Sequence, residues 1–438
     1  MIMKQSLGLF CVLSATILMS ACSKDKVIPQ GKRVAILEQA AAVKSEVANG
    51  ASQINLGEAV VNPYWRQVDA NAQHRIPNVK MTPKWQRIWK ADFGTGSSKH
   101  EFLISEPLLN GDHIYTLDAD GFLRAFKLTD GEVDWAVELR VPERNVNDTA
   151  IKGVGLATDG NAIYATTGFG AVFAIRAKDG HPLWYYDTEV PLRIAPVLAA
   201  GKVLVQSVDN KFWALDVNSG EVLWQYDIAM EDTTMVGGAA AAYNADLDMV
   251  VTGFSNGELQ AFKANIGTPL WSDMLISGKY AYSSTALHAV KAAPVIEGNK
   301  VYALGASNVM AAIDMRTGLR VWEKEISGSN TPLLSGNTLF VITDKADLVA
   351  LDKSNGRILW VKPIDYGEDD KMPRIFGPVM INNQLVVAMS NGFVVCYDAK
   401  TGNEIQRIDT DEELNGAPIA ANNRILLVSA NAKLMVYE

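Results

Sequence analysis

Gly253-Phe254-Ser255-Asn256-Gly257 has the G-x-S-x-G spacing of a nucleophile elbow, the strand-to-helix turn that exposes a serine hydroxyl for acyl transfer. The flanking residues supply no helix. Gly257 stands four residues before Ala261, the same offset at which Gly121 precedes Ala125 and Gly392 precedes Cys396, and Ser255-Asn256-Gly257 parallels Ser390-Asn391-Gly392. The spacing therefore predicts a hairpin turn. Asp118-Ala119-Asp120-Gly121 begins like a calcium loop, but its twelfth position is Thr129 where a bidentate Glu is needed, so it too is expected to turn a hairpin. His74, His100, His113, His181 and His288 show no metal-ligand spacing. Gly153-x-Gly155 lacks the third glycine of a dinucleotide fingerprint. No catalytic constellation emerges, and no cofactor is expected.

What the turns belong to is a repeat. Gly is followed four residues later by Trp at Gly131/Trp135, Gly180/Trp184, Gly220/Trp224, Gly267/Trp271, Gly318/Trp322 and Gly356/Trp360, and Gly402 heads a copy with Gln406 in the Trp place. Six residues before each of these Gly sits a small residue: Ala125, Ala174, Ala214, Ala261, Ala312, Ala350 or Cys396. Twenty-four residues before five of them lies Pro107, Pro196, Pro294, Pro332 or Pro378. From Gly131 to Gly402 is 271 residues in six steps, about 45 per step, within the range of β-propeller blades. Residues 332–360 illustrate the unit: short alternating stretches separated by Ser335-Gly336-Asn337 and Ser354-Asn355-Gly356, which is turn chemistry. Such a sheet cannot bury both faces alone, so copies must stack.

Pro418 opens an eighth copy, but the sequence stops at Glu438 before its Gly and Trp. Lys84–Phe93, with Trp89 in the Trp place, is the candidate for the missing strand. The expected fold is all-β: an eight-bladed propeller of four-stranded antiparallel blades, closed in its last blade by an N-terminal strand, which leaves no open sheet edge. Trp89, Trp135, Trp184, Trp224, Trp271, Trp322 and Trp360 are expected to be docking wedges between blades. Asn62–Lys80, with Trp65, His74 and Pro77, is expected to pack across the propeller outside the blades. The variable connections Glu138–Lys152, Ala229–Val236, Asp273–Lys291 and Pro363–Arg374 are expected on one rim.

The chain has 438 residues, a net charge of −9 and no basic stripe, which excludes a nucleic-acid partner of the usual electrostatic kind. Lys4, the apolar run from Leu7 to Met19 and the small residues after it read as a secretory signal. Met19-Ser20-Ala21-Cys22 resembles a bacterial lipobox, in which the cysteine thiol is acylated and becomes the new N-terminus. The expected organisation is a signal peptide over 1–21, a lipidated tether over 22–60 beginning at Cys22, and the propeller over 61–438. Val34–Ala48 is expected to form a short amphipathic helix. Cys396 would be the single cysteine of the folded body, so no disulfide framework is expected, and it is read as a buried, inert thiol.

The repeat small–x–Asp–x–x–Thr–Gly–x–x–x–Trp, as in Ala312-Ile313-Asp314-Met315-Arg316-Thr317-Gly318 then Trp322, resembles the docking motif of quinoprotein propellers. Two families share it: PQQ-dependent dehydrogenases, and the BamB lipoproteins of the outer-membrane β-barrel assembly machinery. The lipobox with eight blades in one compact chain looks like the BamB family. Gly31-Lys32-Arg33, Asn62-Pro63-Tyr64-Trp65, Phe376-Gly377-Pro378 and Leu434–Glu438 look like its alphaproteobacterial branch. The resemblance implies a non-catalytic scaffold at the outer membrane, facing the periplasm. It implies binding to the POTRA domains of BamA and other subunits of that machinery; exposed strand edges are a further expected contact for unfolded outer-membrane protein precursors.

In the better-studied branch the contact surface holds a Leu-Arg pair and two Asp. The corresponding places here read Thr234-Met235-Val236-Gly237 and Ala289-Val290-Lys291, and a Leu192-Arg193 pair lies one blade earlier. The resemblance thus makes Leu192, Arg193, Met235, Val236 and Lys291 the candidate contact residues. The alternatives are a quinoprotein dehydrogenase, which resemblance would endow with an adjacent Cys pair, an acidic base and calcium ligands, and a general cell-surface binding propeller. The chain contains no Cys-Cys.

Overall fold

The computed structural model describes residues 43–81, 83–99, 101–142, 151–228, 238–277, 289–367 and 371–438. Eight antiparallel sheets succeed one another along the chain. Blade 5 is representative: Val295–Glu297, Lys300–Gly305, Val309–Asp314 and Arg320–Lys324 run from the axis outward. In blade 8, Ile419–Ala421, Arg424–Val428 and Lys433–Tyr437 are completed by Arg87–Asp92, so residues before the first blade finish the last one as expected.

The register explains the small residue. Ala125, Ala174, Ala214, Ala261, Ala312 and Ala350 each pair directly with the Trp of the neighbouring strand, Cys396 pairs with Gln406, and Val436 pairs with Trp89. The ladder slips by a residue beside that pair in every blade. A bulge increases the local twist and turns the indole out of its own sheet toward the next blade.

There it meets the glycine of the next hairpin. Trp135 covers Gly180, Trp184 covers Gly220, and the sequence continues to Trp322 on Gly356, while Trp89 covers Gly131 and so joins blade 8 to blade 1. These glycines have φ of 70° to 76°, and a methyl on any of them would stand less than 3 Å from the facing indole. Only glycine satisfies both demands. Six indole Nε1–H groups donate at 2.6–3.1 Å to a carbonyl three residues before the covered glycine, as from Trp224 to Ala264. Trp360 covers Gly402, yet its buried Nε1 has no partner.

Blade 7 carries Gln406 for a reason visible in the topology. Blade 8 has no hairpin between its third and fourth strands, because its third strand is the last of the chain and its fourth is Arg87–Asp92. An indole at 406 would find no glycine to cover. At that seam Trp85 instead meets Tyr437 edge-on, with ring centroids 6.3 Å apart.

The segment ahead of the blades departs from the expectation. Tyr64–Trp65 pairs with Leu109–Asn110, so blade 1 has five strands, the extra one at the axis. Trp65 is 1% exposed, and its burial together with the unpaired inner edge of blade 1 draws this dipeptide into the sheet. Residues 43–60, the described part of the expected tether, lie on the propeller: Glu46 N donates to Ile358 O, and Asn55 N donates to Asn337 Oδ1. A short 3-10 turn, Gly50–Gln53, is its regular element. The region 34–42 of the expected helix and Cys22 lie outside the described residues, and 43–48 are not helical.

Candidate functional site

The axis of the ring is where the repeats stop being alike. The residue before each blade-opening proline lies at the channel: Glu106, Ala195, Ala293, Thr331, Gly377 and Ala417. Small residues there keep the channel open, and Glu106 is the one large, charged exception. The residue three places before each proline lines the mouth: Ile104, Arg193, Lys291, Ser329, Ile375 and Asn415. One arc of the mouth is therefore apolar, with Phe102 and Phe376 beside Ile104 and Ile375, and the opposite arc is cationic, with Arg193 and Lys291. Arg374 adds a third cation, its guanidinium 5.6 Å from the Phe376 ring and 3.8 Å from Glu413. The cavity they surround holds about 730 Å³.

At the other end the channel is shut. Residues 55–80 cross it and bond to the innermost strand of every blade. Thr158 N donates to Arg66 O, Tyr243 N to Ala72 O, Ile296 N to Gln73 O and Asn422 N to Asn62 O; Val79 N donates to Met380 O. Leu198 N donates to Gln67 Oε1, Gly57 N to Ser335 Oγ, and Tyr64–Trp65 completes the set at blade 1. The expected packing of Asn62–Lys80 across the propeller is thus realised as a floor.

Three ionisable groups meet on that floor. Asp69 and Glu106 line a smaller cavity of about 160 Å³ with Thr331 and Lys291. Burial pushes the Glu106 carboxyl up to about 8, aided by the negative charge of Asp69. Burial also raises Asp69, opposed by His74 and by a hydrogen bond with Thr331. His74 is 1% exposed; its Nε2 lies 3.0 Å from Ala241 O and its Nδ1 3.5 Å from Asp69 Oδ2. Among the described residues no group of three or more His, Cys, Asp or Glu is arranged to hold a metal ion.

The candidate contact residues fall as follows. Arg193 and Lys291 come together on the cationic arc of one mouth, two blades apart. Leu192 is fully buried among Ala162, Tyr164, Val172 and Val203, and its backbone bridges Ser207, so it holds the Arg193 loop from beneath. Met235 and Val236 lie outside the described residues. The seven indoles sit where the repeat placed them. Gly253–Gly257 is a hairpin turn, with Gly257 N donating to Phe254 O at 3.2 Å, and Asp118 caps another by accepting from Asp120 N and Phe122 N. Cys396 is buried, and desolvation pushes its thiol up to about 12.

The carboxyl pair and Arg374 escaped sequence reasoning. Glu106 had a signal: it interrupts the small residues at the pre-proline place. Asp69 and His74 had none, because they belong to no repeat.

A family model described as outer membrane protein assembly factor BamB matches residues 144–362 and 371–438. Curated relatives of the same description are similar over most of their length. The protein from Yersinia pestis is 22% identical over 83% of this chain and 91% of its own, and that from Shewanella oneidensis is 25% identical over 80% and 87%. Among solved structures, BamB from Moraxella catarrhalis superposes with a TM-score of 0.68 at 21% identity, covering 81% of this chain and 99% of its own. A quinohemoprotein alcohol dehydrogenase from Comamonas testosteroni superposes with a TM-score of 0.67 at 12% identity, covering 89% and 83%. The propeller geometry is common to both; the family match distinguishes them.

Proposed function

The chain belongs to the BamB family of outer membrane protein assembly factors, and on that premise we propose that it is a non-catalytic scaffold of the outer-membrane β-barrel assembly machinery, held at the membrane by lipid on Cys22. Its curated relatives are described as outer membrane protein assembly factors. Family membership carries the scaffold reading. The observation that carries the docking site is the channel mouth, where Arg193 and Lys291 stand on one arc opposite the apolar Ile104, Phe102 and Phe376. A rigid ring presenting cations beside apolar surface suits a folded partner with an acidic patch and an apolar centre. The partner proposed is the POTRA region of BamA, with other subunits of the machinery around it. The mature protein faces the periplasm in this reading, and the residues between Cys22 and the propeller contacts that begin, among the described residues, at Val43 serve as the tether. The fourth strands expose Val133, Leu183, Tyr185, Leu270, Val321 and Ile405 along free edges, a surface suited to transient pairing with unfolded barrel precursors.

The test is co-purification of the tagged full-length lipoprotein from gently solubilised membranes, for wild type, Arg193→Glu with Lys291→Glu, and a variant with residues 233–237 rewritten. The expected result is recovery of BamA with wild type and its loss with the charge-reversed pair, at unchanged thermal stability. Wild type that recovers no BamA, or retention of BamA by all three proteins, overturns the docking site. For the anchor, Cys22→Ala is expected to shift the protein from the membrane to the soluble periplasmic fraction.

A further inference from the structure

The floor of the channel is held by chemistry unlike that of the blades. Between Trp65 and Val79 the crossing segment forms no regular structure, and three of its residues are in the left-handed region: Asp69 at φ 52°, Ala70 at 74° and His74 at 52°. Such conformations in non-glycine residues persist only where their surroundings impose them. Here the contacts at the turn are polar, while Trp65, Ile76 and Val79 anchor the ends of the segment in the core. A carbonyl only accepts, so the bond from His74 Nε2 to Ala241 O requires the proton on Nε2. The buried Nδ1 then faces Asp69 Oδ2 at 3.5 Å with no hydrogen-bond partner. Glu106 brings a second carboxyl to the same place from the mouth of blade 1.

The Glu106 carboxyl responds first to burial and then to the negative charge of Asp69. Lys291 from the loop before blade 5 lines the same cavity, and Arg193, Asp344 and Arg374 from blades 3, 6 and 7 line the mouth above. Arg75 of the crossing segment is paired with Glu297 at 3.1 Å. Thr331 from blade 6 contributes a neutral hydroxyl to Asp69.

We propose that residues 66–74 form a proton-held latch, docked across the channel while Glu106 carries its proton and released around the strained turn at 69–74 when Glu106 ionises beside Asp69. Docking raises the affinity of Glu106 for its proton above the ordinary carboxylate range, whose value is 4.5. The docked form therefore has its full advantage below that value. It loses the advantage progressively as pH rises to about 8, the folded value. Release would open the channel from the mouth to the opposite face and free the inner strands of blades 2 to 5 from the segment that now caps them.

Amide hydrogen exchange read by mass spectrometry on the full-length lipoprotein in detergent tests this. Exchange is compared at about pH 6 and about pH 8.5, with times scaled to cancel the intrinsic base-catalysed rate. The reporters are the amides that bond across the floor, Thr158, Tyr243 and Ile296. The internal standard is Thr338–Ile342 in blade 6. Protection of the reporters is expected to fall by about tenfold or more at the higher pH, with the standard unchanged. In Glu106→Gln, which keeps the size and removes the ionisation, the fall is expected to shrink to less than about twofold. Asp69→Asn, which removes the charge that opposes Glu106, is expected to reduce the fall as well and serves where Glu106→Gln does not accumulate. Equal protection of wild type at both pH values, or a fall that persists undiminished in the variant, overturns the proposal.

Discussion

The periphery and the axis of this ring follow opposite rules. At the periphery one contact is made seven times: an indole leaves its sheet at a bulge beside a small residue and covers a glycine of the next blade. At the axis the contacts differ around the ring, although blades 2, 4, 5 and 8 each donate a backbone N–H to a carbonyl of the crossing segment. Blade 4 receives a backbone carbonyl, blade 3 a Gln side chain, blade 1 an added strand, and blade 6 a carboxyl on its Thr331. A repeated contact supports the ring and is interchangeable. A contact made once can carry a role, and the ionisable groups and the cationic arc of the mouth are all of this kind.

Breaking one peripheral joint tests the first half of that contrast. Trp224 is 8% exposed, packs on Phe262 and Phe212, and donates to Ala264 O. Trp224→Ala is expected to lower unfolding stability by ~3–5 kcal/mol in denaturant titration, the usual range for emptying an aromatic site. The partner glycine is expected to cost less. A methyl at Gly267 would stand 2.6 Å from the Trp224 ring at a φ of 70°, so Gly267→Ala is expected to destabilise by about 1–3 kcal/mol through backbone strain and displacement of the indole. Gln406→Trp sharpens the comparison by an absence of effect. Blade 8 offers no glycine hairpin at that seam, so the added indole is expected to change stability by less than about 0.5 kcal/mol, although it restores the repeat. A gain comparable to the loss in Trp224→Ala would show that the repeat acts without its glycine.

Much of the periphery was legible before any coordinates. Constant spacing between small residue, Gly and Trp fixes strand lengths, and the missing end of the last copy points to Lys84–Phe93 as its closing strand. Cys396 in an alanine place reads as buried for the same reason. The two contact residues that the mouth brings together, Arg193 and Lys291, stand at one offset from the blade-opening proline, so their shared position was latent in the repeat. Leu192 was not legible in this way: its neighbour Arg193 faces the cavity while Leu192 turns into the packing between blades, a choice made by the bridge to Ser207.

What the sequence by itself determined is the ring: the number of blades, their closure and the joints between them, because each joint is encoded by residue types at short, fixed separations. What only the tertiary structure decided is the axis. Asp69 and His74 lie on a non-repeating segment, and Glu106 reaches them only because that segment crosses the channel. No local propensity or periodicity specifies the crossing; it follows from eight inner strand edges left with unpaired backbone groups, which a single extended chain can satisfy in turn.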